Sequence, residues 1–88
     1  MTQREAQIVN QLGLHARPAA QLVRAAAGFT SDIRLEKDGM EVNGKSIMGV
    51  MMLAAEFGST VSVRADGPDE ADAVAALCAL IAEGFGEA

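Results

Sequence analysis

The chain has 88 residues, half of them apolar and none of them Trp or Tyr; a chain this short buries only about 60–65% of its unfolded surface, so one domain over residues 1–88, with little room for a deep enclosed pocket, is expected. A formal net charge of −5 argues against the broad basic footprint of nucleic-acid binding. The charge is uneven: Asp66, Asp69, Glu70, Asp72, Glu83 and Glu87 stand in a C-terminal stretch without Lys or Arg, so cationic surface, and any anionic partner, belongs to the earlier part of the chain.

Glu5 to Val9 alternates polar and apolar side chains as a short half-buried strand does, and Asn10-Gln11-Leu12-Gly13 then breaks the pattern ahead of His15. From Ala16 to Ala27, apolar residues recur at three- and four-residue spacing, which predicts a helix with Pro18 in its first turn and Gly28 beyond its end. Ile33 and Leu35, the Asp38-Gly39 turn, and Met40 and Val42 predict a β-hairpin. Ser46 can cap a helix running to about Ala55. Val61, Val63 and Ala65 alternate with Ser62 and Arg64 as a further strand, and Gly67-Pro68-Asp69-Glu70 opens a last helix that buries Val74, Leu77, Cys78 and Ile81 and stops at Gly84.

The order β-α-β-β-α-β-α implies an α+β domain, with three helices on one face of an antiparallel sheet. Cys78 has no second Cys to pair with, the N-terminal residues show no apolar leader, and no long uncharged apolar run occurs. A cytoplasmic chain without membrane insertion is therefore expected. One His and one Cys, far apart, do not make a metal site, and no phosphate-binding Gly-rich loop is present, so no metal, nucleotide or other cofactor is expected.

His15 is the single histidine, set just before a helix with Arg17 two residues on. A helix N-terminus offers unpaired N–H groups and partial positive charge to a phosphate, and a guanidinium adds a forked, permanently charged donor. Phosphoryl transfer needs chiefly positioning and charge stabilisation, which such a site supplies. Read alone, His15 fits equally a residue that merely caps the helix.

Gly13-Leu14-His15-Ala16-Arg17-Pro18-Ala19-Ala20, then Gly28-Phe29, then Lys45-Ser46-Ile47-Met48-Gly49-Val50-Met51 resembles the HPr family, the phosphocarriers of the phosphoenolpyruvate-dependent phosphotransferase system, through essentially the whole chain. The resemblance implies an open-faced β-sandwich with strand order 1-4-2-3, where the element pattern alone equally allows a ferredoxin-like sheet. It implies that His15 is phosphorylated on Nδ1 by enzyme I and passes the group to an EIIA-type protein, and that Arg17 steadies the phosphohistidine. It further implies that Ser46 is a substrate of HPr kinase/phosphorylase; local sequence gives Ser46 simply as a helix cap.

The helix after Ser46 is apolar almost all round, and a two-layer domain cannot cover both sides. Ile47, Met48 and Met51 are candidates for a docking patch beside His15, ringed by Arg17, Arg24 and Lys45; core filling and solvated charge are the plainer alternatives. The chain is thus expected to be a monomeric, stoichiometric phosphoryl carrier and not an enzyme. A nitrogen-related regulatory branch, an acylphosphatase-type hydrolase and a regulatory binding module with an incidental His15 remain the alternatives.

Overall fold

Along residues 1–87, which the computed structural model describes, the chain forms β1 (Thr2–Gln7), α1 (Ala16–Ala26), β2 (Asp32–Lys37), β3 (Met40–Asn43), α2 (Ile47–Met52), β4 (Thr60–Asp66) and α3 (Glu70–Ala82), then a 3-10 turn at Gly84–Gly86. The strands form one antiparallel sheet in the order β1-β4-β2-β3, as the family resemblance implies and unlike a ferredoxin-like sheet.

β4 lies inside the sheet, and its alternation divides the molecule. Val61 pairs with Ala6 on β1, while Val63 and Ala65 pair with Leu35 and Ile33 on β2. These β4 and β2 side chains are fully buried beneath the helices, each contributing about 1.5–3 kcal/mol for the larger aliphatic groups. The residues between them point to the open face. There Arg64 meets Glu41 at 2.6 Å and Glu36 at 3.6 Å. α3 buries Ala73, Val74, Leu77, Cys78 and Ile81, and α1 buries Pro18, Ala19, Leu22 and Ala26.

Two elements differ from the sequence reading. β1 starts at Thr2, not Glu5, and ends at Gln7. Thr2 and Arg4 share a face with Ala6 and Ile8 by strand alternation, but their polar types hide the period. Ile8, fully buried, carries pairing past the strand end, donating to Ser59 and accepting from Gly58 at 2.8 Å each.

α2 stops at Met52 instead of continuing to Ala55. Ala54 takes a left-handed conformation with φ of 51°, and the buried Leu53 and Ala55 turn inward on either side of it. This early stop frees the Ala55 carbonyl, which accepts the Leu14 N–H at 2.8 Å.

Candidate phosphoryl-transfer site

The loop before α1 is held against the chain that follows α2. Gly13 has φ of 68°, and a Cβ there would lie 2.5 Å from the Ala55 carbonyl oxygen and 2.8 Å from Glu56 Cα, so both conformation and space require glycine. Buried Leu14 anchors the next position. The chain then reaches His15, the N-cap of α1, in extended conformation.

The His15 side chain caps nothing in α1, which removes the plain capping role as its explanation. It is 36% exposed, so the ring is reachable from solvent. The first helical hydrogen bond runs from the Ala19 N–H to the His15 carbonyl, and Pro18 has no N–H. The Ala16 and Arg17 amides therefore remain as spare donors at the helix mouth. No acid stands in the first turn to neutralise them.

His15 Nε2 lies 2.8 Å from Glu87 Oε2. The other carboxylate oxygen accepts from Asn10 Nδ2 at 2.9 Å, and the same amide nitrogen donates to the Gly13 carbonyl at 2.8 Å. Both acceptors fix the orientation of the buried Asn10 amide, because only the NH₂ group can serve them. The Asn10 amide, with smaller help from His15, holds the Glu87 carboxyl below its ordinary range, so it is ionised near neutral pH. Nδ1 of His15 has no protein partner among the described residues.

Glu87 reaches this position through the turn that ends α3. Gly84, Phe85 and Gly86 all have left-handed φ values of 66°, 59° and 74°. Phe85 is buried despite a conformation costly for a side chain of its size. Asn10 and Glu87 were not among the residues singled out from sequence. Gly-Phe-Gly just past a helix end was the available signal, since two glycines around one apolar residue mark a tight reversal with an anchor.

Arg17 is exposed and makes no ion pair among the described residues. Arg24 is also exposed, two turns further along the same face of α1, in a groove shared with Leu80 of α3. Lys45 is only half-exposed, and its ammonium donates to the Phe29 carbonyl at 2.8 Å. It therefore ties the loop after α1 to the start of α2 and is less free to meet a partner than the two arginines.

Ser46 is the N-cap of α2, its hydroxyl oxygen accepting the Gly49 N–H at 3.1 Å. α2 turns Val50 into the core and leaves Ile47, Met48, Met51 and Met52 exposed, Met48 most of all at 76%. Leu12 and Phe57 are exposed as well, on the loops flanking His15 and following α2. Surplus apolar surface on α2 is thus real, and it is wider than the three residues named from the sequence.

The family model of the PTS HPr component phosphorylation site matches residues 2–83. The phosphocarrier protein HPr of Cupriavidus necator is 55% identical over 87 residues, spanning 99% of this chain and 98% of that protein. Among solved structures, HPr-C-His from Thermoanaerobacter tengcongensis superposes with a TM-score of 0.96 at 48% identity, covering 100% of this chain and 99% of that one. Crh of Bacillus subtilis, solved as a dimer with a swapping domain, has a TM-score of 0.77 at 48% identity, covering 96% and 97%. That dimer weighs against taking a monomer for granted on the strength of the family.

Proposed function

The chain belongs to the HPr family, the phosphocarriers of the phosphotransferase system, and from that premise we propose that His15 accepts a phosphoryl group on Nδ1 from phosphorylated enzyme I and delivers it to an EIIA-type protein. The observation that carries this reading is the half-exposed His15 ring at the mouth of α1, its Nδ1 unpartnered, beside two spare amides and the unpaired Arg17 guanidinium. Those donors offer the incoming anion fixed positive charge without reorganisation. A histidine at a helix mouth is what a carrier that stores and passes on the group requires, whereas an acylphosphatase-type hydrolase gives no reason for it.

The exposed Ile47, Met48 and Met51 supply an apolar contact for both partner proteins, and Arg17 and Arg24 steer acidic surfaces to it. Ser46 is the regulatory position, modified by an HPr kinase/phosphorylase. A phosphate there would bring nearly two negative charges to the start of α2, strengthening the cap while opposing an acidic partner at the docking patch. The buried free Cys78 supports a cytoplasmic setting. A monomer is the working assembly, with a swapped dimer like that of Crh as its alternative.

Incubation with enzyme I and phosphoenolpyruvate is expected to add one acid-labile phosphoryl group to the wild-type chain and none to His15→Ala. Steady hydrolysis of acyl phosphates by the isolated chain would overturn the carrier reading. Ser46→Asp is expected to take up the group several-fold more slowly, and an unchanged rate would count against the regulatory role. Similarity to Crh favours, as a second reading, a regulatory member of the family; it is distinguished by a phosphorylated chain that discharges to no sugar-pathway EIIA-type protein. Light scattering separates the monomer from a swapped dimer.

A further inference from the structure

β1 is an edge strand: β4 flanks it on one side, and on the other it pairs with no strand among the described residues. Ile8 gives its N–H to the Ser59 carbonyl and accepts the Gly58 N–H, both at 2.8 Å, so its backbone faces β4. Successive residues of an antiparallel strand turn their amide and carbonyl to alternate sides. Ala6 and Arg4 therefore bond toward β4 as well, while Gln3, Glu5 and Gln7 direct their backbone groups outward, where no backbone partner meets them among the described residues. Beside this edge runs a groove of about 430 Å³, lined by Arg4, Ala6 and Val9 from β1 and the residues after it, and by Ala75, Cys78 and Ala79 from α3. Arg4 and Glu5 are both exposed, and neither has an ion pair among the described residues.

We propose that the outer edge of β1 is a docking surface for an extended segment of a partner protein, which adds as a fifth strand and carries an acidic residue opposite Arg4 next to a basic residue opposite Glu5. In strand addition the main chain supplies the affinity and alternate side chains supply the choice of partner. Here the added strand satisfies the outward amides and carbonyls of Gln3, Glu5 and Gln7. Arg4 shares the helix side of the sheet with Ala6 and the buried Ile8, so the segment's residues opposite Arg4 and Ala6 face the groove. The exposed Ala75 and Ala79 are small enough to leave room there for an apolar side chain. Glu5 lies on the open face, where its carboxylate meets the basic residue of the segment. Opposite charges directly across two strands stabilise the pairing, and like charges oppose it. That rule disfavours a second copy of this chain as the occupant: the antiparallel register that uses all three outward residues sets Glu5 against Glu5 of the other copy, as charged edges do to deter self-pairing. The surface shares no residue with the His15 site or with the exposed side of α2, so the segment anchors the carrier and leaves the residues proposed for phosphoryl transfer uncovered.

The probe is a peptide, capped at both ends, with the central sequence Thr-Val-Lys-Glu-Thr. In antiparallel register it sets Val against Ala6, Lys against Glu5 and Glu against Arg4. Titrated to millimolar concentration into the ¹⁵N-labelled full chain, it is expected to shift the amides of Gln3, Glu5, Gln7, Ala75 and Ala79 together and saturably. Exchanging Lys and Glu within the peptide is expected to weaken binding about tenfold, and the double variant Arg4→Glu, Glu5→Lys to reverse that preference. Glu5→Pro removes an outward N–H that no ladder bond uses, a change an edge strand tolerates; it is expected to abolish binding while phosphoryl uptake stays as in the wild type. Equal binding of the two peptides, binding that survives in a folded Glu5→Pro chain, or the absence of shifts along β1 overturns the proposal. A dimer seen by light scattering and lost in Glu5→Pro gives the edge to a second copy and equally overturns it.

Discussion

At the mouth of α3 the N-cap residue Asp69 accepts hydrogen bonds from the Thr30 and Ser31 amides and both of their hydroxyls. Glu70 receives the Gly67 N–H, the Thr2 hydroxyl and the Met1 ammonium, and Asp72 completes the first turn. The first turn of α1 holds no acid and no side-chain cap and contains a proline, and the nearby carboxylate of Glu87 is engaged by His15 and Asn10 instead of the helix amides. Both ends carry the same partial positive charge. In α3 it is met by the protein's own carboxylates, which stitch the helix to β1 and to the loop after α1; in α1 it is left for an outside anion. A helix start is therefore left open to an anion as much by what the sequence withholds as by what it adds.

The most severe way to break this contrast is to give α1 the chemistry of α3. Ala16 is exposed and carries one of the spare amides, so Ala16→Asp places a carboxylate where the proposed phosphoryl group would meet the helix. Uptake from enzyme I is expected to fall about a hundredfold, comparable to the loss of one preorganised donor, while the melting temperature holds or rises, because an acid in a first turn favours the helix. Calorimetry and a labelled-phosphate assay on the same sample read both effects; undiminished uptake would mean that the open mouth is irrelevant.

Arg17→Ala leaves the amides but removes the guanidinium, and uptake is expected to slow about tenfold. Arg17→Lys should recover only part of this, since an ammonium lacks the forked geometry. The same assay decides it.

The least drastic test is on the α3 side, where stability is read instead of transfer. The Ser31 hydroxyl, followed by the Thr30 amide, lowers the Asp69 carboxyl from 3.8 to about 2. A carboxyl depressed on folding stabilises the folded state fully above its unfolded value and loses that contribution as pH falls toward the folded one. Wild-type stability is thus expected to decline between pH 3.8 and about 2. Asp69→Asn should lower the melting temperature at neutral pH and flatten this decline. Glu70, held at about 2 chiefly by the Thr2 hydroxyl and the terminal ammonium, keeps the rest of the slope. Phosphoryl uptake by Asp69→Asn should be unchanged.

Much of this was legible in the residues, for identifiable reasons. Val61, Val63 and Ala65 alternate cleanly because β4 has one covered and one open face, and α3 shows its buried stripe because it lies along β1 and β4. His15 and Arg17 stood out through their relation to a helix start. The strand order did not follow from periodicity, which says which face a residue takes and nothing about which strand lies beside it; it came with the family resemblance. The start of β1 was hidden because polar Thr2 and Arg4 occupy the face of Ala6 and Ile8, Arg4 exposed on an edge strand. The end of α2 was hidden because Leu53 and Ala55 are as apolar as helix residues and are buried for a different purpose. Asn10 and Glu87 meet across most of the chain length, and no local pattern brings such a pair together.

The contact of Gly13 and Leu14 with Ala55 bears on redesign. Someone wishing to retarget the carrier would exchange α2, with its protruding methionines, for the equivalent helix of another family member. A graft ended at Met52 would leave behind the carbonyl on which the histidine loop is seated. A segment that carries α2 together with the seat of the His15 loop therefore runs from Ser46 to Gly58, and recipient and donor must match at Gly13 for that loop to keep its place.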